Sequence, residues 1–198
     1  QVIVKNSLFN LGGRTLLIVA NLVIVPFIVL KIGIANYGIW TILFAFMSTF
    51  NLIDLGISSS YARFIAASKE KEGTAGVNVV VTSGLYLNIL FGALFFLFGL
   101  SIRDFVILKV LKGADYEFLP EIYTAALAVF ALSYVFGIFV SILDGAQRMD
   151  LTNYSMVASK AVELVLIVAL LSRGYMLGGI IAAVVAGKVV LVLSLLAC

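Results

Sequence analysis

An arginine and three small polar residues recur along one face of the first apolar stretch. On a helix with 100° per residue, Ser7, Asn10, Arg14 and Asn21 fall within about 60° of arc, while the other faces carry aliphatic side chains. A charge inside a bilayer is costly and by default indicates a functional site. We therefore expect this stripe to face a neighbouring helix or a water-filled cavity. The alternative is that Arg14 lies near the interface and reaches the lipid headgroups.

The second apolar stretch carries a similar set of polar residues. Thr41, Ser48 and Asn51 are followed by Asp54, which lies about 60° further round the helix and one turn deeper. Asp54 is therefore a candidate buried acid. The alternative is a structural carboxylate near the helix end, paired with Arg63.

Three further charges lie in the last two apolar stretches. Lys160 and Glu163 are spaced i, i+3, and we expect them to neutralise each other on one helix face. Lys188 has no acid within one turn, so it must reach an interface, pair with another helix or line a cavity. Two parallel rows of small residues in the same stretch predict close helix packing. These rows are Gly178, Ala182, Ala186 and Gly179, Ala183, Gly187.

The composition excludes several classes of enzyme and metal site. The chain has no histidine, and its one cysteine is the last residue, Cys198. Ser-His-Asp hydrolysis, histidine-ligated metals, cysteine-cluster metal sites and internal disulfides are therefore excluded. We expect no catalytic residues, no metal and no cofactor. The net charge of +3 is thinly spread, which argues against nucleic acid as a partner.

The apolar content predicts a membrane protein. Of 198 residues 63% are hydrophobic and 12% are charged, whereas soluble domains have about 25% charged residues. Six apolar runs approach the length of a bilayer crossing, and they predict an all-α, six-helix transmembrane bundle over residues 1–198. Because the last run ends without a charged flank, we expect the N-terminal part of a longer protein. The predicted spans are 7–30, 37–60, 77–100, 121–143, 155–171 and 176–197.

The segments between the runs give partial information on topology. Residues 31–36 predict a tight helical hairpin, and residues 63–76 predict a water-exposed loop. Residues 105–108 predict an amphipathic piece at the interface. With the N-terminus inside, the basic residues divide five against five between the two sides, so the positive-inside rule gives no orientation.

Two segments together resemble a known family. The first has Tyr37-Gly38-Ile39-Trp40, then Asp54-Leu55-Gly56-Ile57, then Arg63; the second is Asp144-Gly145-Ala146-Gln147-Arg148. They are similar to the second-helix signature and the helix-four-to-five loop of polysaccharide-biosynthesis flippases. Those proteins belong to the multidrug, oligosaccharidyl-lipid and polysaccharide exporter superfamily.

The resemblance implies a transporter in the cell membrane with a cytoplasmic N-terminus. This chain would be one six-helix lobe of a V-shaped protein whose partners are the bilayer and a C-terminal lobe. The implied substrate is a polyprenyl-pyrophosphate-linked oligosaccharide that is used to build the cell envelope. The protein would move it across the membrane by alternating access. Arg14 suits the pyrophosphate, with Lys188 and Lys160 as weaker candidates. The sugar hydroxyls would be bound by Asn10, Asn21, Thr41, Ser48 and Asn51.

Two alternatives stay open at this point. One is a cation-coupled multidrug exporter of the same superfamily, in which Asp54 or Glu163 would be the coupling acid. The other is a membrane scaffold that transports nothing and whose polar residues only pair helices. The YGxW and DLG segments favour the polysaccharide branch over the drug exporter.

Overall fold

The regular structure of the chain is helical throughout the described residues. The computed structural model describes residues 2–49, 56–110 and 119–197, and the side chains of residues 2–14, 16, 17, 46, 47, 49 and 110 lie outside the description. A short π-helix spans Val106–Val110. The α-helices are α1 (Val2–Thr49), α2 (Ile57–Ser101), α3 (Arg103–Phe105), α4 (Leu119–Gly145), α5 (Met149–Ser172) and α6 (Leu177–Leu196).

Helix α1 changes direction at Gly33. This residue has φ 79° and ψ 159°, a backbone conformation that is accessible to glycine and breaks the helix. The break lies inside the segment 31–36, where the sequence predicts a turn. Residues before and after it, Ile28 and Leu43 among them, pack into the same hydrophobic cluster. The second predicted span, 37–60, passes through residues 50–55, which lie outside the described residues.

Helix α2 is a hairpin of two helical segments that meet at Gly73. Gly73 has φ 64° and ψ −145°, and the Tyr61 hydroxyl lies 3.4 Å from the carbonyl oxygen of Gly84. In a straight helix these two residues would be about 35 Å apart, so the chain must fold back at Gly73. The expectation of a loop over residues 63–76 is therefore wrong: apart from Gly73 this segment is helical, and its charged side chains are exposed.

The second segment of α2 runs antiparallel to α4, and α5 runs antiparallel to α6. The second segment of α2 packs along α4, where Gly99 contacts Leu127 and Gly92 contacts Val135. Helix α6 packs along α5 and also contacts α4, and α1 packs against α5. Among the described residues, five helices are long and apolar enough to cross a membrane, so the sixth crossing stays a prediction. They are Ile18–Ala45, Ile57–Ser101, Leu119–Gly145, Met149–Ser172 and Leu177–Leu196.

Apolar side chains fill the interior and also cover the outer surface. The larger buried cluster joins α1, α4, α5 and α6, and a smaller one joins Tyr61, Ile65 and Ile138 between α2 and α4. Many large apolar residues on the outer faces are exposed, including Leu22, which is 69% exposed. An aqueous protein avoids such a surface, whereas a bilayer solvates it. The chain therefore forms a helical membrane bundle.

The short helices after α2 have one buried and one exposed face. Val106 is buried in the larger cluster, while Phe105 and Leu108 are 64% and 69% exposed. Arg103 pairs with the adjacent Asp104 at 3.1 Å. Residues 105–108 thus have a buried and an exposed side, and their position at the membrane interface stays a prediction.

Candidate functional site

The strongest charge interaction among the described residues lies halfway along α5. The ammonium nitrogen of Lys160 is 2.6 Å from the Glu163 carboxylate oxygen, and the two side chains are only 23% and 15% exposed. Their i, i+3 spacing places both groups on adjacent turns of one helix, which explains the contact. The pairing predicted for these two residues is present in the structure. Each charge neutralises the other in an environment where an unpaired charge is costly.

Helix α6 approaches this pair closely because it presents glycine at the contact. A methyl group at Gly187 would lie 3.0 Å from Cβ of Glu163 and 3.2 Å from the carbonyl oxygen of Ser159. The Ser159 hydroxyl donates a hydrogen bond of 2.7 Å to the carbonyl oxygen of Gly187. Gly187 belongs to the row of small residues that also contains Gly179 and Ala183, and all three are buried. The predicted packing face is therefore this row, while Gly178 and Ala182 are exposed.

Lys188 adds a second cation beside the ion pair. It follows Gly187 directly and interacts electrostatically with both Glu163 and Lys160. Its side chain is exposed on the described bundle, and it is the twelfth residue of the 20-residue helix α6. A lysine this far from both helix ends does not face lipid favourably. Two cations and one anion leave the cluster with a net charge of +1.

A polar face on α5 was not predicted from the sequence. Thr152, Ser155, Ser159 and Glu163 lie within about 80° of arc on this helix. Thr152, Ser155 and Ser159 are all buried. Their spacing of i, i+3, i+7 and i+11 was the available signal, but serine and threonine are common enough in membrane helices to hide it. The face leads from the α4–α5 turn to the charged cluster.

A second polar cluster joins α2 to α4. The Tyr61 hydroxyl lies 3.2 Å from Oδ1 of buried Asn88, and the Asn88 amide donates to the carbonyl oxygen of Tyr134 at 3.3 Å. About three turns further along the same two helices, the Tyr123 hydroxyl donates to the carbonyl oxygen of Gly99 at 2.9 Å. These groups satisfy each other within the interior, which identifies the cluster as a connection between helices.

The described residues of the predicted α1 sites do not join the charged cluster. The hydroxyl of Thr41 donates to Tyr37 O at 2.8 Å, and that of Ser48 donates to Ala45 O at 2.9 Å, so both bond within their own helix. Asn21 is exposed. The side chains of Asn10 and Arg14, together with Asn51 and Asp54, lie outside the described residues.

Comparison with protein families accounts for nearly the whole chain. The family model described as polysaccharide biosynthesis protein matches residues 3–198. The chain belongs to this polysaccharide biosynthesis family. Comparisons with the curated proteins and with the solved structures give no match.

Membership of the polysaccharide biosynthesis family confirms the resemblance found in the sequence. It also gives the charged cluster a context, because the bundle is a multi-pass membrane protein with a role in polysaccharide biosynthesis or export. A mid-helix cation is consistent with an anionic or polar cargo in such a protein. Within the described residues no group of three or more metal-ligating side chains is present.

Proposed function

We propose that the full-length protein moves a polyprenyl-pyrophosphate-linked oligosaccharide across the cell membrane. Three features support this: family membership over residues 3–198, the apolar outer surface, and the surplus cation Lys188. A pyrophosphate carries negative charge through a medium that solvates it poorly, so it requires fixed cations along its path. The exposed, mid-helix position of Lys188 is the observation that carries the proposal.

Lys188 is suited to the pyrophosphate because Glu163 is already occupied. Lys160 neutralises Glu163 at 2.6 Å, so the positive charge of Lys188 is left in excess and can attract an anion. An ammonium group binds phosphate as a point charge, whereas a guanidinium group forms two parallel hydrogen bonds. We therefore assign the first contact with the pyrophosphate jointly to Lys188 and Arg14. The sugar would be bound by Asn10, Asn21, Thr41, Ser48 and Asn51.

The exposed side of α6 is the side on which a second six-helix lobe would complete a cavity. Lys188 would line that cavity, and alternating access of the cavity to the two membrane faces would move the cargo. In this proposal the N-terminus is cytoplasmic, and so are the Gly73 hairpin and the α4–α5 turn. The protein acts as a transporter and not as an enzyme, and it requires no cofactor.

The geometry at Glu163 argues against this residue as the coupling acid of a drug exporter, while Asp54, the other candidate acid, lies outside the described residues. A coupling acid must bind and release a cation, whereas Glu163 is held by Lys160 and lies beside Lys188. A structural role for Glu163 follows from this arrangement. A scaffold that transports nothing would gain no function from the exposed Lys188, although a charge in the middle of a membrane helix is costly.

The proposal is tested by reconstituting the full-length protein in liposomes with a fluorescent polyprenyl-pyrophosphate oligosaccharide. Access of a membrane-impermeant quencher to the sugar reports movement between leaflets. We expect movement in protein-containing vesicles and none in empty ones. Equal rates in the two preparations would refute the proposed function.

A further inference from the structure

The described bundle contains two tightly connected helix pairs. In the pair α2–α4, glycines 84, 92 and 99 allow close contact, and the polar cluster of Tyr61, Asn88 and Tyr134 joins the helices. In the pair α5–α6, Ser159 bonds to Gly187 at the point of closest approach. Small residues and hydrogen bonds at both contacts give each pair a defined geometry.

The seam between α4 and α5 is built differently. Next to the turn, the Thr152 hydroxyl donates to the Asp144 carboxylate at 3.1 Å. Ser141 and Ser155 lie about one helical turn further from the α4–α5 connection, and they are 2% and 0% exposed. Neither hydroxyl has a hydrogen-bond partner among the described residues.

The two unpaired hydroxyls lie at equivalent positions on the two helices. Asp144 opposes Thr152, and Ser141 and Ser155 are each three residues further from the turn. In an antiparallel hairpin these two serines are therefore again opposite each other. A Cβ atom at Gly137, one more turn along α4, would meet no atom within 4 Å. Space is therefore open beside α4 one turn beyond the buried hydroxyls.

The remaining contacts between the pairs permit movement. Leu127 of α4 and Leu177 of α6 belong to the same apolar cluster, and apolar contact has no directional requirement. The connection at the turn includes Gln147, a residue other than glycine with φ 59°. This left-handed residue belongs to the C-cap of α4, in which the amides of Gln147 and Arg148 donate to the carbonyl oxygens of Asp144 and Leu143 at 3.0 and 2.8 Å.

We infer that the bundle moves as two bodies, α2–α4 and α5–α6, that separate at the α4–α5 seam and admit water to Ser141 and Ser155. Opening supplies the hydrogen-bond partners that both hydroxyls lack in the closed form. The cost of burying both hydroxyls unpaired lowers the free energy that opening requires. This inference goes beyond the proposed function, and its test requires no transport.

Cysteine accessibility tests the inference in the full-length protein in membranes. In a background where Cys198→Ser removes the thiol of this chain, Ser155→Cys is compared with Ser159→Cys. Both are conservative changes on one face of α5, but Ser159 lies inside the α5–α6 contact. With a small, water-soluble methanethiosulfonate we expect Ser155→Cys to react at least about tenfold faster, since reaction requires access of the reagent to the thiolate.

A matched pair on α4 makes the same comparison. Ser141→Cys is expected to react faster than Ile138→Cys, because Ile138 is equally buried but faces Gly84 and Tyr61 in the α2–α4 contact. Equal rates within either pair, or no reaction at Ser141→Cys and Ser155→Cys, would overturn the inference.

Hydrogen exchange on the unmodified protein provides a measurement that does not depend on the variants. We expect backbone amides of residues 141–156 to exchange faster than those of residues 84–92 and 123–131, because local opening exposes them to water. Uniform protection across these segments would contradict two separately moving bodies.

Discussion

The hydroxyl of Ser159 donates to the carbonyl oxygen of Gly187 across 2.7 Å, and this contact connects the two helices that carry the charged cluster. The backbones of α5 and α6 come close enough for this hydrogen bond because Gly187 has no side chain between them. Lys188, the next residue along α6, is thereby brought close enough to interact electrostatically with Glu163. The position of the surplus cation therefore depends on a glycine.

Replacing Gly187 with alanine tests this dependence. The added methyl group would lie 3.0 Å from Cβ of Glu163, so α5 and α6 must separate slightly. We expect Gly187→Ala to lower the free energy of unfolding by about 1–3 kcal/mol relative to Gly178→Ala, through overpacking. Gly178→Ala is the matched control, since its Cβ meets nothing within 4 Å. Thermal unfolding in detergent measures both variants, and equal midpoints would contradict the close contact.

The ion pair on α5 predicts a non-additive mutant cycle. Glu163→Gln leaves the Lys160 ammonium group largely buried without its partner at 2.6 Å. We expect a loss of about 1–3 kcal/mol in the free energy of unfolding for Glu163→Gln. The double variant with Lys160→Met should recover most of this loss, because no unpaired ammonium group then remains at position 160. Additive losses would show that the pair contributes nothing.

The polar connection between α2 and α4 predicts a smaller effect. Tyr61→Phe removes the hydroxyl that lies 3.2 Å from Asn88 Oδ1. We expect a loss of about 1 kcal/mol in stability, typical of one intramolecular hydrogen bond. Tyr86→Phe is the control, because Tyr86 lies on the same helix and is 70% exposed. Identical unfolding curves for the two variants would show that the Tyr61 hydroxyl does not stabilise the contact between α2 and α4.

The predicted stripe on the first apolar stretch gives a prediction for export in cells. Under the proposed function, Arg14→Ala should reduce glycan export by about tenfold or more through loss of a charge-assisted hydrogen bond to phosphate. If the guanidinium binds bidentately, Arg14→Lys should fail as severely. Arg148→Ala, at an exposed residue of the α4–α5 turn, serves as the control. Normal glycan export by the Arg14→Ala variant would show that Arg14 does not bind the cargo.

Hydrophobic periodicity and local spacing account for what could be predicted from the sequence. Apolar runs of bilayer length indicated the long helices, and the i, i+3 spacing indicated the Lys160–Glu163 pair. The row containing Gly187 indicated a packing face. Each of these features depends on residues close together in the sequence, where helix geometry alone fixes the distance.

Features that depend on distant residues were missed. A reversal of the chain between residues 60 and 77 was expected, but the helical conformation on both sides of Gly73 was missed, because no local pattern distinguishes it from a charged loop. The buried hydroxyls of Ser141 and Ser155 become notable only when their neighbours are known. The approach of Lys188 to Glu163 depends on the register between α5 and α6, which the sequence does not reveal.

Transport by a Lys188→Ala variant tests the central claim most directly. In liposomes containing the full-length protein, quencher access to a fluorescent polyprenyl-pyrophosphate oligosaccharide is compared for Lys188→Ala, Lys188→Arg and the exposed control Lys69→Ala. The account predicts a loss of at least about tenfold for Lys188→Ala, since one charged contact contributes roughly 1.5–3 kcal/mol. Lys188→Arg should retain most of the activity, and Lys69→Ala should match the unmodified protein. Unchanged transport by Lys188→Ala would contradict the assignment of this cation to the cargo path.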